Sequence, residues 1–238
     1  MIQVKPNDDS NKNIIPLSSG DETDEYNKSI TVKFKQSHAL NKLNYVIMRN
    51  EIDALKRDDA ELSGDTVDVG MAMVQEDWPE NVKNNTFILP HDFISALEGK
   101  KETTVYHRSI KDDIFKCNKI VTVIGGKYHH WQLVIFDLVL KEIQYFNSMK
   151  KGEADTILLR DETKLFKNWL IQNGVEGPIK PSGKPSPCQE GNLLCGIHSI
   201  CMANHVVPGN EPNETAFDDE FVRQKKKDLL AFILAFDQ

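Results

Sequence analysis

Three apolar runs between Ile120 and Phe146 constrain the fold of this chain more than any other feature. Ile120-Val-Thr-Val-Ile124, Trp131-Gln-Leu-Val-Ile-Phe-Asp137 and Ile143-Gln-Tyr-Phe146 are short and rich in β-branched and aromatic residues. Such runs predict strands. The second and third are close enough in sequence to pair as an antiparallel hairpin. Their apolar character is nearly continuous, which predicts a sheet buried on both faces. Something must cover each face, and the flanking sequence supplies helices.

Upstream, Ile30-Thr-Val-Lys-Phe34 alternates like a short strand. Asn50 can cap a helix over Glu51 to Arg57, and Asp65 one that runs to about Gln75. Pro90 suits the first position of a helix reaching Leu97. Downstream, an amphipathic helix is expected from Ala154 to Asn173, ended by Gly174. Gly177 to Pro187 reads as an extended connector. A helix starts near Cys195 and stops before Pro208. The last helix, Asp218 to Phe236, offers Phe221, Leu229, Leu230, Phe232, Ile233 and Phe236 as its buried stripe. Strands framed by helices on both sides make an α+β domain.

The 238 residues suit one domain with an arm. Residues 1–28 are polar and are expected to be a flexible arm; residues 29–238 form the folded domain. The formal charge of −7 argues against a nucleic-acid binder that works by neutralising phosphates. No apolar run reaches membrane-spanning length, and the N-terminus lacks the apolar core of a signal peptide. Cys117, Cys188, Cys195 and Cys201 lack the spacing of a secreted disulfide scaffold. Reduced thiols in the cytoplasm or nucleus are expected.

Reactive residue types recur at the ends of these elements. Cys195 precedes Gly196 at the start of a helix, where N–H groups and the dipole favour a thiolate. His130 sits just before one strand and Asn147 just after the next. In a hairpin those two positions are neighbours, so Asn147 can orient the His130 ring and leave one nitrogen for the thiol. Gln189, six residues before Cys195, can donate to an oxyanion. Plainer readings stand beside this one: a small core cysteine and a structural histidine. A metal reading also exists, because Cys195, His198, Cys201 and His205 recur at helical steps. A buried helix stripe explains that spacing as well.

His130-Trp131, Tyr145-Phe-Asn-Ser148 and Gln189-x5-Cys195-Gly196 resemble the ubiquitin-like-protein proteases of the Ulp/SENP type, in the adenain-like clan. Upstream, Arg49 to Leu55, Leu62 to Asp68 and Phe87 to Phe93 look like that family's segments around its first long helix. The resemblance covers about residues 44–237. It implies a papain-like, adenain-like fold with a central mixed sheet flanked by helices. It implies a thiol isopeptidase or endopeptidase that cuts after the C-terminal glycine of a ubiquitin-like modifier, SUMO-type first. His130 would be the base, with His129 its competitor. Asn147 would orient it, Cys195 attack and Gln189 hold the oxyanion, while Trp131 and Gly196 contact the substrate's glycines. The expected partners are a modifier (SUMO, NEDD-type or ubiquitin) and its conjugates. A monomer with no cofactor, metal, nucleic-acid or membrane partner is expected.

Three positions depart from the family pattern. Asn147 stands where Asp is usual, Leu62 where a second glycine-clamping tryptophan is usual, and Leu194 where Asp commonly precedes the nucleophile. The alternatives are a catalytically weak modifier-binding module, or a same-clan deubiquitinase, polyprotein-processing protease or acetyltransferase.

Overall fold

The structure is a computed structural model that describes residues 29–33, 44–57, 61–99, 113–125, 130–149, 160–189, 191 and 193–237. The expected arm at 1–28, His129 and the first residues of the 154–173 helix lie outside the described residues.

The three apolar runs are strands at the centre of a five-stranded sheet. β3 (Thr86–Ile88), β4 (Lys119–Gly125), β5 (Trp131–Asp137), β6 (Glu142–Phe146) and β7 (Lys180–Lys184) lie side by side in that order. The two inner junctions are antiparallel and the two outer ones parallel, so the sheet is mixed. A separate antiparallel pair joins β1 (Ile30–Lys33) to β2 (Asn44–Ile47).

Burial on both faces follows from the continuous apolar runs. Val121, Val123, Leu133, Ile135 and Phe146 point to one side. There they meet α2 (Gly64–Glu76), α6 (Cys195–Val206) and α7 (Asp219–Leu234). Ile120, Ile124, Val134, Phe136, Ile143 and Tyr145 point to the other side. They pack against α4 (Phe93–Gly99) and α5 (Arg160–Gln172). Phe136 and Phe166 meet edge to face at 4.6 Å. Burying each such ring contributes about 2 kcal/mol, and the two layers fix the sheet between them.

Two further helices, α1 (Arg49–Lys56) and α3 (Glu80–Lys83), complete the element list. Several boundaries differ from the sequence expectation, each for a local reason. The helix expected to be capped by Asp65 begins two residues earlier, at Gly64, because Ser63 is the cap and accepts from Thr66 N at 3.2 Å. Asn50 lies inside α1; Glu51 instead reaches back to Met48 N at 2.6 Å. Pro90 opens a turn and α4 starts at Phe93. The connector after Gly177 contains β7. On α7 the buried line is Val222, Lys226, Leu229 and Ile233, while Phe221 is 44 % exposed. Lys226 tolerates this position because its ammonium donates to the Arg57 carbonyl. No helix among the described residues is long and apolar enough to cross a membrane.

Candidate active site

β5 pairs with β6 with Leu133 opposite Phe146, which leaves the residues before β5 and after β6 at the same end of the hairpin. That brings His130 to Asn147. His130 Nε2 lies 2.8 Å from Asn147 Oδ1. The same oxygen accepts the Met149 amide at 3.0 Å, which fixes the Asn147 amide with its oxygen toward the ring. An oxygen there requires Nε2 to carry the hydrogen, so a neutral ring keeps Nδ1 as a free base. Both side chains are buried. Burial pushes the His130 pKa below its usual value, against the bond from Asn147.

Cys195 opens α6, and its sulfur accepts from the backbone N–H of Trp131 at 3.4 Å. Trp131 directly follows His130, so the sulfur and the imidazole are attached to the same strand end. No side chain caps α6, which leaves its first-turn N–H groups free to act on the sulfur. Burial raises the Cys195 pKa, and N–H groups of Trp131 and Gly196 oppose that rise. With the thiol raised and the imidazole lowered, the pair at neutral pH is thiol and neutral imidazole. The arrangement suits proton transfer to His130 at the moment of attack rather than a standing ion pair.

Trp131 is held at three points. Its indole Nε1 donates to the Leu62 carbonyl at 3.0 Å, its amide to Cys195, and its carbonyl accepts from Ser199 at 3.3 Å. A β-carbon at Gly196 would sit 3.2–3.3 Å from Trp131, Val67 and Leu62. Glycine there lets β5 and α6 approach closely enough for the Trp131–Cys195 contact.

Gln189 is buried and its amide is fixed at both ends. Oε1 accepts from Ser148 Oγ at 2.6 Å, and Nε2 donates to the Gly191 carbonyl at 2.7 Å. Its backbone N–H also donates to the Ser148 carbonyl at 2.8 Å. One Nε2 hydrogen remains for a ligand. Ser148 and Ser199 are the residues that sequence reasoning missed. Ser148 does follow Asn147 directly, which was the available signal.

Among the described residues, Cys195, His198, Cys201 and His205 do not converge on one point. The cluster of such donors that does form is Asp65, Asp68 and His91, within 4.8 Å of one another. His205 instead bonds the Glu211 carbonyl at 3.0 Å, and Cys201 is buried with its thiol pushed up to about 12. His198, one turn past Cys195, is 2 % exposed, and neither ring nitrogen has a hydrogen-bond partner. Asp219 Oδ1 lies 3.5 Å away. Burial lowers the His198 pKa to about 4, against the pull of Asp219. An unfolded histidine titrates near about 6.5, so the unfolded chain binds more protons between those values. Stability is therefore full above about pH 6.5 and lost progressively toward pH 4. His198→Phe should remove this loss, a gain of about 1–3 kcal/mol near pH 5 relative to pH 8. Denaturant melts at the two pH values measure it; an equal difference at both would contradict it.

No family model matches the chain, and no curated protein matches it in sequence. Solved structures do match in fold. The C-terminal protease domain of Ulp1, solved in complex with Smt3, the yeast ortholog of SUMO, has a TM-score of 0.64 at 19 % identity. The match covers 88 % of this chain and 89 % of that one. The Chaetomium thermophilum Ulp1-like SUMO protease catalytic domain gives 0.54 at 14 % identity, covering 87 % and 92 %. The Xanthomonas campestris effector XopD, bound to ubiquitin, gives 0.55 at 13 % identity, covering 72 % and 92 %. The chain thus has the α+β fold of the Ulp-type, adenain-like cysteine proteases, its mixed sheet flanked by helices.

Proposed function

We propose that this protein is a cysteine isopeptidase or endopeptidase acting after the C-terminal glycine of a ubiquitin-like modifier, with SUMO-type modifiers the first candidates. The observation that carries the reading is the 2.8 Å His130–Asn147 bond beside a strand end whose next amide touches the Cys195 sulfur. Structures of the same fold hold Smt3 and ubiquitin, which supports a modifier as partner.

His130 Nδ1 accepts the thiol proton as the sulfur attacks the glycine carbonyl. The free Gln189 Nε2 hydrogen and the Cys195 backbone N–H stabilise the tetrahedral oxyanion. The His130 imidazolium gives its proton to the leaving lysine amine. Water then hydrolyses the thioester, with His130 as base again. Trp131 and Gly196 border the path of the substrate's terminal glycines. No step calls for a metal or cofactor. The four cysteines are free, in keeping with a reducing compartment such as cytoplasm or nucleus.

Asn147 orients the ring without a charge of its own. Asn147→Asp would set a carboxylate against Nε2 and favour the imidazolium, raising the His130 pKa. The limb of the pH–rate profile that reports His130 should move upward by about 1 unit, with kcat/KM preserved or increased. A profile that does not move would count against His130 as the titrating base.

The test is incubation of the purified protein with lysine conjugates of SUMO, ubiquitin and NEDD-type modifiers. Release of free modifier from at least one, lost in Cys195→Ala, is the expected result. Tight modifier binding with no release from any conjugate would overturn the enzyme reading in favour of a binding module.

A further inference from the structure

One pair beside this site, a buried carboxylate and a half-buried imidazole, is used by no step above. Asp68 lies on α2 with its side chain 3 % exposed. Both of its oxygens accept from the same residue: Oδ1 from the His91 backbone N–H at 3.0 Å, and Oδ2 from His91 Nδ1 at 2.9 Å. The held imidazole stands perpendicular to the Trp131 indole, with ring centres 5.9 Å apart and an interplanar angle of 79°. The ring also abuts Gly64, where any β-carbon would collide with it. The indole it touches is the one whose Nε1 bonds Leu62 and whose amide bonds Cys195.

We propose that the Asp68–His91 pair is a positioning device for Trp131, fixing the indole from behind so that it borders the substrate's path beside Cys195. This rests on the function proposed above. A buried carboxylate with two donors from one residue is a costly arrangement, retained where it sets geometry. Here it holds one ring, and the Gly64 backbone stands close against that ring's Nε2 edge. Leu62 supplies a carbonyl to the indole, so His91 provides the aromatic contact on this flank.

The pair also makes the contact charge-dependent. The groups acting on His91 are Asp68 and Asp65 on α2 and Asp92 beside it in the chain. Burial opposes the charge of His91, yet Asp68 and the other two acids outweigh it and hold its pKa above the ordinary value. Burial lifts Asp68 to about 6 against the His91 bonds. The imidazole that meets the indole is therefore protonated more readily than a free histidine, so its charge changes while it is in contact with Trp131.

The experiment reads Trp131 directly and needs no substrate. The emission of Trp131 is isolated as the difference between the protein and its Trp131→Phe variant, titrated from pH 5 to pH 9. The expected result is a transition with a midpoint above that of free histidine, absent in His91→Gln. In Asp68→Asn the midpoint moves to lower pH, because the charge that raised it is gone. Gly64→Ala, which leaves both partners intact but displaces the ring, also abolishes the transition. A transition that survives His91→Gln, or none in the unaltered protein, overturns the proposal. A second arm uses whichever conjugate the protein cleaves: His91→Gln should raise KM about tenfold while kcat changes less than about twofold. Equal loss in both, or none, contradicts it. If no conjugate is cleaved, the proposed function fails and the fluorescence arm alone still decides the role of His91 toward Trp131.

Discussion

Cys195→Ala will release no modifier from any conjugate, and His130→Ala will lower kcat/KM by about a thousandfold or more. The two effects belong together, because the pair acts as a unit. The sulfur is buried and its pKa is raised, so it has little thiolate of its own at neutral pH. It depends on a base, and His130 is oriented for that role by Asn147 with Nδ1 left open. Removing the imidazole leaves a thiol with N–H donors around it but nothing to take its proton. The double variant should therefore be no slower than Cys195→Ala alone. Cys195→Ala keeps the helix start and the neighbouring packing, so modifier binding should persist. Pull-down with the inactive variant checks this, and steady-state cleavage rates check the rest. A His130→Ala protein within tenfold of the unaltered rate would show that the base lies elsewhere, with His129 the first place to look.

Gln189→Ala is expected to reduce kcat about a hundredfold, with KM changed little. The donor is preorganised: Ser148 holds its oxygen, the Gly191 carbonyl takes one hydrogen, and the other is left for charge that develops in the transition state. An interaction realised only in that state appears in kcat rather than KM. Ser148→Ala should give a smaller loss of the same kind, about tenfold, because the amide survives but is free to rotate. Gln189→Glu is the sharper control. It keeps the shape but places a carboxylate where a donor is needed, so it should be at least as slow as Gln189→Ala. Equal activity in the Gln and Glu forms would remove Gln189 from the oxyanion site and leave it a structural link to Ser148.

The centre of the fold was readable because β-branched runs bounded by turns admit few arrangements. Strand pairing then did most of the work on the site. Once β5 and β6 form a hairpin, the residue before one and the residue after the other lie at the same end, and there the His130 side chain reaches Asn147. The start of α6 at Cys195 was legible for a similar reason, an apolar helical run behind a Cys-Gly step. β7 was not. Lys180-Pro-Ser-Gly-Lys184 has the composition of a connector, and it is a strand only because β6 offers it an open edge. Pro181 is tolerated there since an edge strand need not donate on both sides. β2 was missed because four residues carry too little pattern. The buried line of α7 was misread because Phe221 and Phe236 are large and apolar, yet the helix turns Val222, Leu229 and Ile233 inward. Ser148, Ser199 and the Asp68–His91 pair act through individual side-chain hydrogen bonds, which leave no periodic trace in a sequence.

The most direct measurement is labelling with C-terminal electrophilic probes built on SUMO, ubiquitin, a NEDD-type modifier and a short Gly-Gly peptide, with the modified residue located by mass spectrometry. The account predicts that at least one modifier probe attaches at Cys195, outpaces the peptide probe, and fails to attach when His130 is Ala. Labelling confined to the exposed Cys188, or no labelling at Cys195 by any probe in a folded protein, would contradict it.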